Sequence, residues 1–526
     1  MSEHNTGVKH DHCGCPVSSC GGRDKPYFIT SAIPYVNGCP HIGHAYESIC
    51  CDVVARYKRV FGRKVLMTTG TDEHGEKVAS TATAQGVTVE ELCERNSNEF
   101  KKMYGRLLIS YDDFIRTTEE RHITSAQKGW KKVAERGDIY LGTLKGWYSV
   151  REERFIPEEE AKLTDYCDPC SKVKYNPVEE PSYFFKLDNH REKLIEHIET
   201  HPKFIMPVDV RDDILKKLKS GKIDDLSISR TSFSWGIPVP GDDKHVIYVW
   251  FDALSNFATV AGLKDYESFK DFNEKSVWPI DIQFIGKDIS WFHSVILPCM
   301  LLAMDLDLPT TIFSHGIILG PDGQKMSKSL GNVINAADLL DNYGVEPLRY
   351  YIIRNSVLGE DMRFDIGEMC QMYNEEVVEN VGGLLDDVLS LADKHHDGKV
   401  PALVEDLPKP FEPIAVSRAV VGFVADFDFR SAILTTIDAF KKCREHFEGH
   451  LSGSVVEAGH VRLLLESVYF LSHFLAPLVP LSCEKVFSQL DAEQKTVKTL
   501  SHSFNNLVEG TKLDLSLKAF SKVLHE

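Results

Sequence analysis

Two segments of this chain carry the residue types that polyphosphate chemistry needs. In His41-Ile42-Gly43-His44, two imidazoles stand three residues apart where the loop Pro34-Tyr35-Val36-Asn37-Gly38-Cys39-Pro40 opens a helix. That spacing puts both rings on one helical face. A helix N-terminus also offers unpaired N–H groups and the positive end of the helix dipole, which favour phosphate. Donors aimed at a polyphosphate stabilise the charge that develops on it in a transition state. Gly43 lets a flat ring approach the backbone closely. The plainer alternatives are a surface histidine pair, or half of a zinc site that would need further ligands.

The second segment is Asp322-Gly323-Gln324-Lys325-Met326-Ser327-Lys328-Ser329-Leu330-Gly331-Asn332. Here a glycine-flanked loop holds two lysines three apart and two small hydroxyls. Such a loop can close ammonium groups over a triphosphate and release them later. The alternative is a solvated, lysine-bearing loop. The string Lys325 to Ser329 is specific by itself, and more so with the histidine pair upstream and several strands between.

The elements that must position these residues begin with YFITSAIP at 27–34, an apolar run that predicts a buried strand ending at Pro34. A helical pattern then runs from His41 through Ile49, Val53, Val54 and Tyr57 and stops near Gly62. A second strand follows at 64–71, closed by the polar turn Asp72-Glu73-His74-Gly75. Strand, loop, helix, strand is the start of a parallel α/β sheet. Residues 85–140 read as helices, 143–185 as a mixed, turn-rich stretch and 187–220 as helical. Strands are predicted at 246–254, at 282–288 leading into a helix over 289–304, and at 310–319 before the lysine loop. Beyond about 365 the pattern is nearly all helical to the C-terminus. There are no internal repeats.

Bulk properties narrow the class. The chain has 526 residues, 43% hydrophobic and 26% charged, a globular composition long enough for two to four domains. No stretch stays apolar for the about 20 residues a bilayer requires, so no membrane partner is expected. The first residues lack an apolar signal core and are not an Arg- and Ser-rich, acid-poor helix. They read as a disordered tail, 1–25, on a cytoplasmic protein. A formal net charge of -18 argues against broad nucleic-acid affinity but allows a local basic surface. The 13 cysteines are scattered, with Cys50, Cys51, Cys299 and Cys483 in apolar contexts. That fits reduced thiols better than a disulfide framework.

The two segments together are similar to the paired signatures of class I aminoacyl-tRNA synthetases. The surroundings resemble the methionyl branch: Ala32-Ile33-Pro34-Tyr35-Val36-Asn37-Gly38, Thr69-Gly70-Thr71-Asp72-Glu73-His74-Gly75, Asp225-Leu226-Ser227-Ile228-Ser229-Arg230, Tyr248-Val249-Trp250-Phe251-Asp252-Ala253-Leu254 and Phe284-Ile285-Gly286-Lys287-Asp288. The resemblance is dense over about residues 26–365. Leucyl, isoleucyl and valyl relatives carry a large editing insertion for which there is no room here. The resemblance implies an α/β fold: a Rossmann-type parallel-sheet catalytic domain (26–142 and 221–315) with an inserted connective-peptide domain (143–220). A lysine-loop and stem-contact region (316–365) and an all-α helical bundle of the anticodon-binding type (366–526) would follow.

The resemblance also implies roles. His41, His44, Lys325 and Lys328 would act on the phosphates, and Gly43 and Ser327 would complete the ATP site. Ile33, Tyr35, Trp250, Ala253, Leu254, Phe257, Ile289 and His293 would surround the methionine side chain, since a polarizable thioether packs well against aromatic rings. From spacing alone, Trp250 and Leu254 read as ordinary core. Asp72 would hold the α-ammonium by a charge-assisted hydrogen bond. Phe257 stands where the family usually has Tyr, so one hydroxyl is missing. The implied reaction joins L-methionine to ATP, with Mg2+, as methionyl-adenylate and passes it to tRNA.

Three departures qualify the resemblance. The insertion offers one Cys-x-x-Cys, at Cys167 and Cys170, and Gly146-Trp147-Tyr148 is followed by Ser149-Val150-Arg151-Glu152 rather than by a second pair. Two thiolates are half of a tetrahedral site, so no structural zinc is expected there. His10, His12, Cys13, Cys15 and Cys20 belong to the tail. In the helical half, Gly383 and Asp387 occupy the places where the family presents an Asn and an Arg to the anticodon. The later helix, Phe440 to His450, has no Trp for base stacking. An aspartate there repels RNA, which puts the usual anticodon contacts in doubt. No appended tRNA-binding domain is expected after Glu526, which leaves room for an accessory tRNA-binding protein. The alternatives are a paralogue that forms the adenylate without reading an anticodon in the usual way, a non-catalytic scaffold, and a nucleotidyltransferase, which would lack the long helical half.

Overall fold

The computed structural model describes residues 25–149, 154–156, 158–169, 172–326, 333–404, 407–451 and 457–524. Its centre is a six-stranded sheet with the order Asp113–Arg116, Val65–Thr71, Tyr27–Ser31, Ile282–Gly286, Ile312–His315, Ile205–Met206. Every neighbouring pair is parallel. Parallel strands are covered on both faces and therefore read as continuous apolar runs. Phe28, Ile29, Ile282, Phe284 and Ile285 are fully buried accordingly. The strand order reverses between Tyr27–Ser31 and Ile282–Gly286, which pair with Ile29 opposite Ile282 and Ser31 opposite Phe284. A crevice opens at such a switch point, outside the carboxyl ends of the two strands.

Helix α1, Ile42–Val60, leaves this crevice and runs back beneath the sheet. It is buried on most sides, because the sheet covers one flank and the C-terminal helices Val345–Asn355 and Ala458–Leu475 cover another. A wholly buried ion pair fixes this packing. Arg349 Nη2 donates to Asp52 Oδ2 at 2.6 Å, and the guanidinium also donates to the carbonyls of Leu107, Pro477 and Leu478. Asp52 accepts further from Arg56 and Ser110. Burial, the largest influence, would raise the Asp52 pKa; the Arg349 and Arg56 charges and the Ser110 hydrogen bonds together outweigh it and hold the carboxyl below its usual range. A buried network of this kind is tolerable because its members are satisfied.

An antiparallel sheet of Arg154–Ile156, Ile139–Ser149, Asn176–Phe185 and Leu226–Ser227 stands beside the parallel one. A smaller one joins Pro238–Val239, Asp242–Ile247 and Ser229–Arg230. The C-terminal half begins with Ile366–Tyr373, a π-helical segment Asn374–Gly382 and Gly383–His396, continuous in sequence. Pro413–Ala425, Phe429–His450, Ala458–Leu475 and Pro480–Gln489 follow. The α/β architecture with a helical second half is thus the one the sequence predicts. Among the described residues, no helix is long and apolar enough to cross a membrane.

Four local expectations differ. Within 85–140 the short segment Asp113–Arg116 is an edge strand, and four residues are too few for a period-two signal. Within 187–220, Ile205–Met206 is a strand that joins the central sheet. The run at 246–254 is a strand only to Ile247; Val249–Leu254 is a helix. A buried apolar run is compatible with either, and here the helix turns Asp252 inward to two histidines. Beyond Gln489 no helix forms among the described residues. Leu500, Phe504, Leu507, Leu513 and Phe520 are instead buried against the bundle from irregular chain.

Candidate active site

His41 is the N-cap of α1. Its Nδ1 accepts from the Gly43 N–H at 3.1 Å, and its own N–H donates to His44 Nδ1 at 3.1 Å, a reciprocal capping box. The rings stack with centroids 3.8 Å apart, and His44 sits edge-on to Phe100. Because each Nδ1 accepts a backbone N–H, the proton of each neutral ring must reside on Nε2. Burial, and then the neighbouring His41, push the His44 pKa well below its usual value. The pair therefore presents two N–H donors in a fixed tautomer. Gly43 gives the His41 ring its room: a Cβ there would lie 3.0 Å from Cε1 and 3.1 Å from Nδ1 of His41, close enough that the ring would have to shift.

Lys325 lies across a tight turn from the strand Ile318–Leu319. It bridges to Leu319, Gly320 N–H donates to Gln324 O, and Gly323 takes a φ of +74°. The Lys325 charge acts on Asp361, which also accepts from Lys287 Nζ at 2.5 Å and from Ile317 N–H. Burial would raise the Asp361 pKa, but these cations hold it below the usual range. Ser327 and Lys328 lie outside the described residues.

The apolar residues converge on the same end of the sheet. Tyr35, Trp250, Leu254, Phe257 and Ile289 belong to one packed cluster. Tyr35 lies edge-on to Trp250 at 6.4 Å, and Phe257 edge-on to His293 at 5.9 Å. His293 Nδ1 accepts from the Gln283 amide at 3.1 Å, and burial lowers its pKa to about 3, so the ring is neutral. Ala253 is buried on the helix that carries Trp250 and Leu254. Ile33 is half-buried in the loop before Tyr35 and stands outside the cluster. Asp72 is buried beside Tyr35: the two residues form a parallel bridge, and Asp72 N–H donates to Pro34 O.

Several residues of this site were not singled out from the sequence. Phe292 stacks on Trp250 with centroids 3.6 Å apart and planes at 12°. Asp252, fully buried, accepts from His74 Nδ1 at 2.6 Å and from His122 Nε2 at 2.7 Å. Burial would raise its pKa, but the His74 charge and the His122 hydrogen bond hold it below the usual range. The carboxylate thereby ties the turn after Val65–Thr71 to the helix that carries Trp250. Glu73, beside Asp72, is held by Thr71, Arg116 and Thr118. One turn along α1 from His44, Glu47 accepts from His315 Nε2 at 2.9 Å while His315 Nδ1 donates to Gly316 O. Both ring nitrogens face acceptors. Burial lowers the His315 pKa, yet the Glu47 hydrogen bond and charge carry it above its usual value, while burial raises that of Glu47. Sequence spacing offers no signal for any of these pairs. The partners of Asp252 and Glu47 are 130 to 268 residues away in sequence.

Away from the crevice, Gly383 and Asp387 are one turn apart on Gly383–His396. Asp387 is paired with Arg444 Nη1 at 2.5 Å from the helix Phe429–His450, and a Cβ on Gly383 would come 3.1 Å from the same guanidinium. The acidic side chain is therefore neutralised by a cation from the facing helix, which also lies over Phe447 at 5.5 Å. Cys167 is half-buried; Cys170 and the tail residues His10, His12, Cys13, Cys15 and Cys20 lie outside the described residues.

Comparison with known proteins agrees with this geometry. A family model described as tRNA synthetases class I (M) matches residues 27–389. The methionine–tRNA ligase of Rickettsia bellii is 37% identical over 496 residues, covering 91% of this chain and 96% of that protein. The methionine–tRNA ligase of Brucella suis is 44% identical over 386 residues, 72% of this chain and 73% of its own. Among solved structures, Mycobacterium tuberculosis methionyl-tRNA synthetase in complex with methionyl-adenylate superposes with a TM-score of 0.88 at 35% identity, covering 94% of this chain and 99% of that one.

Proposed function

The chain belongs to the class I tRNA synthetases of the methionine type, and from that premise we propose how its residues divide the work. The protein activates L-methionine with ATP to methionyl-adenylate and transfers the methionyl group to tRNA. In the first step the methionine carboxylate attacks the α-phosphorus of ATP, and the bond to the β-phosphate oxygen breaks to release pyrophosphate. In the second, a hydroxyl of the 3′-terminal adenosine of tRNA attacks the adenylate carbonyl and AMP leaves. Neither step needs a side-chain nucleophile, so catalysis is positioning plus charge stabilisation.

In our assignment His41 and His44 donate Nε2–H bonds to the triphosphate at the α1 N-terminus. Gly43 admits the His41 ring, and Lys325, Ser327 and Lys328 close on the phosphates from the other side. Mg2+ would enter with ATP as part of that substrate. Tyr35, Trp250, Ala253, Leu254, Phe257, Ile289 and His293 enclose the thioether, with Ile33 at its mouth, and Asp72 takes the α-ammonium. A neutral His293 suits an uncharged side chain, because an imidazolium would be left uncompensated in an apolar pocket. We assign 26–142 and 221–315 to the catalytic domain, 143–220 to a zinc-free insertion, 316–365 to the lysine loop and stem-contact region, and 366–526 to tRNA binding in the cytoplasm. An accessory RNA-binding protein would add affinity that the acidic surface lacks.

The observation that carries the assignment is the stacked His41–His44 pair. It is locked in one tautomer on a helix N-terminus at the switch point of the sheet. Methionine-dependent ATP–pyrophosphate exchange tests it: His41→Ala and His44→Ala should each lose at least tenfold in rate at unchanged methionine KM. Wild-type exchange in both variants would overturn the assignment. Charging of tRNA with a native and an altered anticodon tests the helical half. Equal charging of both would mean that the Asp387–Arg444 surface does not read the anticodon.

A further inference from the structure

Three histidines outside the crevice meet where two C-terminal helices join. His446 and His450 are four residues apart, on one face at the end of Phe429–His450. His460 is in the first turn of Ala458–Leu475. Their rings are mutually stacked or tilted, with centroids 4.3 Å, 4.4 Å and 5.0 Å apart. Among the described residues they are the one group of three potential metal ligands whose donor atoms all lie within 4.8 Å of one another. His446 and His460 are buried and His450 is exposed, so the cluster is reachable from solvent on one side.

The hydrogen bonds around the cluster orient it. His450 Nδ1 donates to the His446 carbonyl at 3.0 Å, which leaves its Nε2 lone pair for a ligand. His460 Nε2 faces the Glu457 carboxylate at 3.7 Å, while its Nδ1 meets His446 Nε2 at 2.8 Å. A carbonyl and a carboxylate behind two of the rings are the outer partners that metal-bound histidines characteristically have. Zinc–nitrogen bonds of about 2.0–2.1 Å place tetrahedral ligand atoms roughly 3.4 Å apart. His446 Nε2 and His460 Nδ1 stand 2.8 Å apart and the three donor atoms lie within 4.8 Å of one another, so the ion would replace one imidazole–imidazole hydrogen bond with only a small shift of the rings.

We propose that His446 Nε2, His450 Nε2 and His460 Nδ1 form a binding site for a borderline divalent cation, zinc first, with a water in the fourth position. The site pins the end of one helix to the start of the next. It lies outside the catalytic crevice and involves neither Cys167 nor the N-terminal tail. Imidazole ligation suits Zn2+, Cu2+ and Ni2+ better than Mg2+ or Ca2+.

The test uses the full chain, stripped with chelator and titrated with Zn2+ alone by calorimetry. One saturable Zn2+ per chain is expected, and it raises the thermal midpoint. His450→Ala, at an exposed position, should weaken binding at least tenfold and abolish the thermal shift while leaving ATP–pyrophosphate exchange unchanged. Co2+ substitution should give d–d bands of nitrogen and oxygen ligation without a thiolate charge-transfer band. Tight zinc binding that survives in His450→Ala, or a thiolate band in the Co2+ form, would place the metal elsewhere and overturn the proposal. So would the absence of saturable binding to the wild type.

Discussion

Replacing Gly43 by alanine separates stability from catalysis in a way the geometry makes quantitative. The new Cβ would stand 3.0 Å from His41 Cε1 and 3.1 Å from Nδ1, closer than ordinary van der Waals contact. The His41 ring must swing outward by several tenths of an ångström, which loosens its cap on the Gly43 N–H. Loss of an N-cap costs about 1 kcal/mol. Alanine in place of glycine within a helix returns roughly the same amount. Net stability should therefore change by less than about 1 kcal/mol. The rate has no such compensation: a donor displaced by even part of an ångström loses alignment with the charge that develops on the phosphate, and a 1 Å misplacement can cost about 100-fold. Gly43→Ala should lower methionine-dependent ATP–pyrophosphate exchange by about 10- to 100-fold, with an unchanged urea midpoint and unchanged methionine KM. Exchange within twofold of wild type would refute the claim that the His41 ring position matters. A rise in methionine KM would place the damage in the wrong pocket.

Lys328→Ala should cut the same exchange at least tenfold, about 1.4 kcal/mol of barrier, and an unchanged rate would remove Lys328 from the phosphate site. Asp52→Asn leaves the fully buried Arg349 without its counter-charge, so urea unfolding should show a loss of about 3 kcal/mol; a loss below about 1 kcal/mol would mean that the network is dispensable. His293 has a pKa lowered by burial to about 3, so below the ordinary value of about 6.5 the unfolded chain binds a proton that the folded chain refuses. Stability contributed by this site is therefore intact at pH 7 and falls on acidification. Between pH 7 and 5.5 the wild type should lose about 1 kcal/mol more than His293→Asn in urea titrations, and parallel losses would show that His293 titrates normally.

What was legible in the sequence, and what was not, follows from the range of the interactions. The strand, loop and helix around His41 are local: an apolar run, Pro34, and the start of a helical period define them within 35 residues. The reversal of strand order is not local. It depends on Ile282–Gly286 pairing with Tyr27–Ser31 across the whole insertion. Val249–Leu254 looks like strand in sequence because an apolar run carries no period, and its helical form is tied to His74 and His122 through Asp252. Phe292 gave no signal beyond being apolar, and only its stacking on Trp250 brings it to the pocket. Asp387 was legible as a charge reversal but not as a neutralised one, since Arg444 reaches it from 57 residues away.

These long-range ties bear on how independent the two halves are. α1 carries the histidine pair at its N-terminus, the Glu47–His315 pair one turn later and Asp52 near its middle. Arg349 binds Asp52 and the carbonyls of Pro477 and Leu478 at once, and Tyr57 donates to Phe474 O at 3.1 Å. The helix that carries the histidine pair is thus clamped at its middle and far end by the helical half. A rigid helix transmits a tilt at one end to the other: over the roughly 15 Å from Asp52 to the N-cap, at 1.5 Å per residue, a tilt of a few degrees displaces His41 by about 1 Å. That displacement is of the size that costs catalysis. The helical half therefore holds the N-terminus of α1 and its histidine pair in register, and the buried Asp52–Arg349 pair is the joint through which it does so.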